Sequence, residues 1–209
     1  KQFVFSADGQ AMLAYARQGR SWVSLFDPIG PEPQRRDLVW RFLALANDAG
    51  GRGCFYQVRP GNLPMYLDAG LRLLKLGEYA YVPLAGFSLE GKSRSGLRYS
   101  VKRAFREGLE FGVLPASAVP AVLAEMRAVS DAWLAAHRSA EKRFSVGAFD
   151  EAYVLRQPAA LVRRQGHLVA FATVLETGAG QEASIDLMRH VSPMPYGTMD
   201  LLFVQLMLH

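Results

Sequence analysis

Asp186 and Arg189 are the residues of this sequence whose types and spacing are best suited to chemistry. They stand in the apolar stretch ASIDLMRH, residues 183–190, just before a turn rich in proline and glycine. On a regular strand, Asp186 would point to one face and Arg189 to the other. Both charges can serve one site only if a bulge or the strand end breaks that alternation. The pattern leaves two interpretations open, a structural ion pair and a charged binding site.

Two further residues are candidates on weaker patterns. Tyr153 lies in FDEAYVL, where a short helix is predicted, and a lone tyrosine at helical spacing usually packs in the core with its hydroxyl hydrogen-bonded. His190 could act as a base near neutral pH, but an isolated histidine at a strand end is more often structural, so we leave it out of the predicted site. The four histidines are scattered and no cysteine stands near them, so no zinc site is predicted.

Residues 92–106 form a strongly basic segment that holds six lysines and arginines and no acid. A helix is predicted from Ser93 to Gly108, with Leu97, Val101 and Phe105 on its buried face. The charges are either a solvated helix face or a surface for the phosphates of an anionic bilayer or of RNA. The residues predicted to bind phosphate are Lys92, Arg94, Arg98, Lys102 and Arg106.

The composition is that of a folded protein with a modest positive charge. Apolar residues make up 50% and charged residues 21% of the 209 residues, which excludes a disordered chain. The formal net charge of +5 favours anionic partners without choosing among nucleic acid, lipid and phosphorylated metabolites. No uninterrupted apolar stretch is long enough for a transmembrane helix within these residues. The single cysteine excludes an internal disulfide framework.

The order of the predicted elements repeats. A hairpin, a third strand, a Pro/Gly turn and a helix are predicted in residues 3–49 and again in residues 159–209. We also predict an extended segment at 71–84 and a long helix at 117–137. The fold class is therefore α+β with two related units, and the chain reads as starting partway into one unit and ending partway into the other. The unfinished last helix is expected to expose Leu202, Val204 and Leu208.

No cofactor is predicted. The fingerprints of nucleotide-binding loops are absent from the sequence. Coenzyme A would need successive backbone N–H groups at the start of a helix to bind its pyrophosphate. The two turns in that position, DPIGPEPQ and SPMPYGT, contain prolines that remove such donors. A coenzyme A-dependent N-acetyltransferase is therefore only an alternative function.

Three long phrases resemble a known family. They are YLDAGLRLLKLGEYAYVPLAGFSLEGKSRSGLR (66–98), EKRFSVGAFDEAYVLRQPAALVRRQGHLVAFA (141–172) and SIDLMRHVSPMPYGTMDLLF (184–203). In this order they resemble the multiple peptide resistance factor family, the bacterial aminoacyl-phosphatidylglycerol synthases. The resemblance implies a tandem acetyltransferase-like fold, that of the Gcn5-related N-acetyltransferases. The expected division is a first unit over 1–92, a basic connecting helix over 93–108 and a second unit over 109–209.

The resemblance also implies a function. Members of the family transfer an aminoacyl group, here expected to be alanyl with lysyl left open, from aminoacyl-tRNA to phosphatidylglycerol, which gives resistance to cationic antimicrobial peptides. Their cleft includes the residues that align with Tyr153, Asp186 and Arg189, and also residues beyond His209, which leaves the activity of the isolated chain open. The expected partners are aminoacyl-tRNA, phosphatidylglycerol and a membrane-embedded N-terminal domain, at the cytoplasmic face of the bacterial inner membrane. A non-enzymatic module that binds RNA or anionic membranes is the second alternative.

Overall fold

The chain folds into two compact units, residues 1–79 and 80–209. The structure is a computed structural model that describes residues 1–141 and 144–209. Each unit contains a four-stranded sheet with helices packed against it, so the predicted α+β class is confirmed. The division follows Tyr79, whereas the sequence placed it after residue 92. The basic helix, which was expected to connect the units, lies within the second unit.

In the first unit, a long helix packs on the sheet. The strands are β1 (Gln2–Phe5), β2 (Met12–Gln18), β3 (Ser21–Ile29) and β4 (Arg52–Tyr56), in that order across the sheet. The first three are antiparallel, and β4 is parallel to β3 because helix α1 (Glu32–Asp48) connects them. A 3-10 turn (Pro60–Asn62) leads into the short helix α2 (Leu63–Asp68). The core forms where Leu38, Phe42 and Ala46 of α1, spaced by four residues, are buried against the sheet.

In the second unit, helices cover both faces of an antiparallel sheet. Its strands are β5 (Leu109–Leu114), β6 (Ala159–Arg164), β7 (His167–Glu176) and β8 (Ala183–His190), again in sequence order. Helices α3 (Ser95–Arg106) and α6 (Thr198–Leu208) share one apolar cluster with the sheet. Helices α4 (Leu123–Ala136) and α5 (Glu151–Val154) share another. The predicted repeat of hairpin, strand, turn and helix is present as β1–β2–β3–α1 and β6–β7–β8–α6.

Helix α3, preceded by a 3-10 turn (Lys92–Arg94), buries only part of the face predicted, since Val101 alone of the three predicted residues is buried. Ser100 and Ala104 are buried, whereas Leu97 and Phe105 are 39% and 45% exposed. The reason is the close packing of α3 against α6, where the Ser100 hydroxyl donates a hydrogen bond to Asp200. Small side chains let the two helices approach, so the apolar residues at the edges of the α3 stripe are left at the surface.

Two other elements differ from the predictions, and the expected extended segment is not part of a sheet. The expected helix 117–137 is divided into a 3-10 segment (Ala116–Val122) and α4, because Pro120 has no N–H to donate to a continuous α-helix. Residues 71–84 contain no strand. In α6, Leu202 and Val204 are buried in the cluster shared with α3, and only Leu208 of the three expected residues is exposed.

Candidate active site

A β-bulge in β8 places the two predicted charges on the same side of the sheet. The register between β7 and β8 shifts, with Ala172 opposite Met188 but Val174 opposite Ile185. Asp186 and Leu187 therefore share one position on the partner strand, opposite Thr173. The Leu187 N–H donates to the Thr173 hydroxyl at 3.1 Å, which satisfies a backbone group that the bulge removes from the ladder. The break in alternation that both charges require is present.

The Asp186 carboxylate accepts two hydrogen bonds from the chain that follows α4. The Tyr153 hydroxyl donates at 2.6 Å and the Gly147 N–H at 2.9 Å. Tyr153 is itself held in place because its backbone N–H is capped by the Asp150 side chain at 3.0 Å, at the start of α5. A carboxylate held by two donors keeps further lone pairs, so it can still accept a hydrogen bond from a bound ammonium group.

Gly147 is required at its position by space. A Cβ on this residue would lie 2.2 Å from Asp186 Oδ2 and 2.8 Å from the Tyr153 ring. Burial, with the Asp186 carboxylate adding to it, raises the pKa of the Tyr153 hydroxyl to about 12. Tyr153 therefore stays protonated near neutral pH and serves as a hydrogen-bond donor, because a base would need a much lower pKa.

Arg189 lies in a separate environment on the same side of the sheet. It is 8% exposed, its guanidinium lies 4.1 Å from the centre of the Trp133 ring, and its Nη2 donates to Glu141 Oε2 at 2.9 Å. Among the described residues the Arg189 Nε has no hydrogen-bond partner although it is buried. The second oxygen of Glu141 accepts from the Phe149 N–H at 3.2 Å. Because the buried Nε donor is unused among the described residues, Arg189 can bind an anionic oxygen.

The structure thus brings Asp186 together with Tyr153, as predicted, but it does not pair Asp186 with Arg189. In the part of the chain that is described, the ion-pair partner of Arg189 is Glu141. The two charges are linked by one stretch of chain, because Glu141 and Gly147 both lie between α4 and α5. A surface hollow in this unit, lined by residues that include Glu125, His167 and Val191, contains neither charge. The cleft between the two charges stays a prediction.

The predicted phosphate-binding residues divide into two groups. Arg94 and Arg98 are used within the protein, since Arg94 donates to the Ser88 carbonyl and Arg98 to the Leu89 and Gly91 carbonyls. Lys92, Lys102 and Arg106 are exposed. Tyr99 and Phe105 stand on the same helix with exposed fractions of 56% and 45%, so two aromatic side chains are exposed on the helix that carries these basic residues. The sequence pattern had placed Phe105 on the buried face of the helix.

Comparison with known proteins decides the family. The whole chain, residues 1–209, matches the family described as phosphatidylglycerol lysyltransferase, C-terminal.

The chain belongs to this family.

Curated relatives of the phosphatidylglycerol lysyltransferase family cover the whole chain. The phosphatidylglycerol lysyltransferase of Bacillus subtilis (strain 168) is 38% identical over 209 residues, which are 100% of this chain and 24% of that protein. The enzyme of the same name from Staphylococcus aureus (strain MRSA252) is 32% identical, again over 100% of this chain and over 25% of that protein. The chain therefore spans about a quarter of the length of these relatives.

Solved structures of the family share the fold. The crystal structure of the C-terminal domain of a protein described as a lysylphosphatidylglycerol synthetase, from Agrobacterium fabrum, has a TM-score of 0.93 at 47% identity and covers 99% of this chain and 65% of that one. The structure of L-PGS from Bacillus licheniformis has a TM-score of 0.88 at 39% identity and covers 99% of this chain and 63% of that one. The resemblance found in the sequence is confirmed at the level of the family.

Four residues that contact the candidate site were missed in the sequence: Trp133, Glu141, Gly147 and Thr173. Each acts through a contact made by residues distant in the chain, and none stands in a pattern that would single it out. Within residues 1–141 and 144–209, no group of three or more His, Cys, Asp or Glu side chains is placed to hold a metal ion.

Proposed function

We propose that this chain is the part of a membrane-lipid aminoacyltransferase that holds the aminoacyl group while it passes from tRNA to phosphatidylglycerol. The observation that carries the proposal is the family match over residues 1–209. The bulged strand supports it, because it presents an anchored carboxylate at Asp186 and a guanidinium at Arg189 on one side of the sheet. The whole protein's activity is part of the proposal, since the chain spans only 24% of the Bacillus subtilis relative.

The proposed reaction exchanges one ester for another. A glycerol hydroxyl of phosphatidylglycerol attacks the aminoacyl carbonyl carbon, and a new C–O bond forms. The bond between that carbon and the tRNA ribose oxygen breaks, and the proton of the glycerol hydroxyl passes to the ribose oxygen. The aminoacyl ester is already activated, so the exchange needs no ATP. Orientation of two bound substrates can lower the barrier by about 7–11 kcal/mol, and one donor to the oxyanion by about 3–4 kcal/mol.

The residues of the site suit the charges of these substrates. Asp186 would accept a hydrogen bond from the substrate α-ammonium, with Tyr153 and Gly147 fixing the carboxylate. Arg189 would bind a phosphate or the oxygen that becomes negative during the exchange, through the donors that Glu141 leaves unused. Tyr153 would also shape the aminoacyl pocket. Its pKa of about 12 supports a role as donor, since the hydroxyl keeps its proton at neutral pH.

The amino acid proposed from the relatives is lysine. From the sequence we expected alanine, with lysine left open, but the curated relatives from Bacillus subtilis and Staphylococcus aureus are both named lysyltransferases. Alanyl transfer adds one ammonium group to the lipid and lysyl transfer adds two, so either product offsets the charge of its phosphate. The weaker attraction of cationic peptides to such a membrane is the proposed biological consequence.

The exposed side of α3 supports binding of the anionic substrates. Lys102 and Arg106 point away from the core of the unit, next to exposed Tyr99 and Phe105. Such a surface suits an anionic bilayer interface, where each basic side chain contributes about 1 kcal/mol, and it also suits the phosphates of tRNA. No helix in the described residues is long and apolar enough to cross a membrane. A membrane-embedded domain elsewhere in the protein and a position at the cytoplasmic face of the membrane belong to this proposal.

The decisive experiment uses the full-length protein with phosphatidylglycerol vesicles. Radiolabelled lysyl-tRNA and alanyl-tRNA are supplied in parallel, and label is counted in the extracted lipid. We expect lipid labelling that is lost in Asp186→Ala. Thermal stabilisation by acetyl-coenzyme A without lipid labelling would favour the acetyltransferase alternative. Transfer that survives Asp186→Ala, together with loss of membrane or RNA binding when the charges of residues 92–106 are reversed, would favour a binding module.

A further inference from the structure

Arg189 is held in one orientation by contacts on two of its sides. The Trp133 ring covers one face of the guanidinium, at 4.1 Å from the ring centre. Along one edge of the guanidinium, Nη2 donates a hydrogen bond to Glu141 Oε2 at 2.9 Å. The buried Nε is left without a hydrogen-bond partner among the described residues. An unpaired buried donor is unfavourable in a protein, and the Arg189 Nε therefore indicates a position where a bound oxygen acceptor would complete the contacts.

Glu141 is in turn fixed by the protein. Its side chain is 15% exposed, and its Oε1 accepts from the Phe149 backbone N–H at 3.2 Å while its Oε2 accepts from Arg189. The Phe149 ring contacts Phe171 on the neighbouring strand β7 in an edge-on arrangement, with ring centres 6.0 Å apart. Glu141 therefore connects the guanidinium to the apolar core of the unit, and both of its oxygens are already engaged within the protein.

We propose that Glu141 is a positioning residue for the transfer reaction: it sets the plane of the Arg189 guanidinium so that the unused donors face the anionic oxygen of the substrate. The inference rests on the proposed function. Glu141 does not touch the reacting atoms, because its oxygens are occupied by Arg189 and Phe149. Its contribution is geometric, and displacement of a catalytic group by about 1 Å is enough to lower a rate on the order of 100-fold.

The side chain chemistry makes glutamine a sharp test. A carboxylate offers an acceptor to each of the two donors that face it, Arg189 and the Phe149 N–H. The amide of Glu141→Gln has one oxygen and one NH2 group. If the oxygen faces Arg189, the NH2 group faces the Phe149 N–H, and two donors oppose each other. The reverse orientation sets the NH2 group against the guanidinium, so the variant cannot keep both contacts.

The control is a second glutamate–arginine pair in the same unit. Glu125 of α4 pairs with Arg163 at 2.7 and 2.9 Å, and this pair lies at the surface, with the Glu125 side chain 44% exposed. Glu125→Gln removes the same charge without touching Arg189. A merely structural role for Glu141 would lower the melting temperature and leave the kinetic constants as they are in the Glu125→Gln control.

The experiment measures kcat, KM and melting temperature of the full-length protein in the vesicle assay. For Glu141→Gln we expect kcat to fall about 10- to 100-fold, with KM for aminoacyl-tRNA changed less than about threefold. Glu141→Asp, which keeps the charge but shortens the side chain, should recover part of the loss. If Glu141→Gln fails to fold, Glu141→Asp alone tests the positioning role. The expected result is then a reduced kcat at a melting temperature near that of the wild type.

Two results would overturn the inference and can be told apart. Wild-type transfer with an unchanged kcat in both Glu141 variants would remove the positioning role and leave the proposed function intact. Absence of any lipid labelling by the wild type, with lysyl-tRNA and alanyl-tRNA alike, would remove the proposed function and this inference with it.

Discussion

Replacement of Gly147 by alanine tests whether the geometry around Asp186 governs transfer. The new Cβ would lie 2.2 Å from Asp186 Oδ2 and 2.8 Å from the Tyr153 ring, far inside normal contact distances. The backbone cannot relieve the contact without loss, because the Gly147 N–H also donates to the same carboxylate at 2.9 Å. The carboxylate must therefore move by about 1 Å, which corresponds to a loss of kcat on the order of 100-fold.

The stability cost of the same change follows from overpacking. Insertion of a methyl group into an occupied site destabilises by about 1–3 kcal/mol, or a fall in melting temperature on the order of 3–10 °C. The matched control is Gly112→Ala in β5, where a Cβ would meet nothing within 4 Å. Kinetic constants from the vesicle assay and melting curves are measured for both variants. A Gly147→Ala protein with wild-type kcat and melting temperature would refute the account of how Asp186 is held.

Three further predictions follow from the same contacts. Tyr153→Phe removes the hydroxyl that donates to Asp186 at 2.6 Å and should lower kcat about 10-fold, with a stability loss of about 1 kcal/mol. The vesicle assay measures kcat, and urea unfolding measures the stability. Burial and Asp186 raise the pKa of the Tyr153 hydroxyl to about 12, so its contribution to stability is present below about pH 10 and is lost as the pH rises towards 12. Ultraviolet titration of the wild type against Tyr153→Phe detects the ionisation of this hydroxyl, and a midpoint near 10 would contradict the prediction. The double variant Lys102→Glu/Arg106→Glu should abolish the salt-sensitive binding to phosphatidylglycerol vesicles or to tRNA, and the two bindings are measured separately. The melting temperature should be retained, because both residues are exposed.

Much of the architecture could be predicted because its signals are local. The helical spacing of Leu38, Phe42, Leu45 and Ala46 indicates α1, and the helix buries these residues except Leu45, which is 39% exposed. Where local signals failed, a packing contact had overridden them. In α3 the stripe through Leu97 and Phe105 is more apolar than the one through Ser100, yet Ser100 is buried because it bonds to α6. Apolar spacing reports which side chains prefer burial, and the neighbouring helix decides which of them achieve it.

By itself, the sequence determined the α+β class, the repeated order of elements, the family and the choice of Asp186, Arg189 and Tyr153 as candidates. It also showed that the two charges need a bulge, since alternation along a strand is a local property. Only the tertiary structure decided that Arg189 pairs with Glu141, 48 residues away, and that Gly147 binds Asp186 across 39 residues. Such contacts depend on the register between β7 and β8 and on the path of the chain between α4 and α5, and no periodicity in the sequence encodes either.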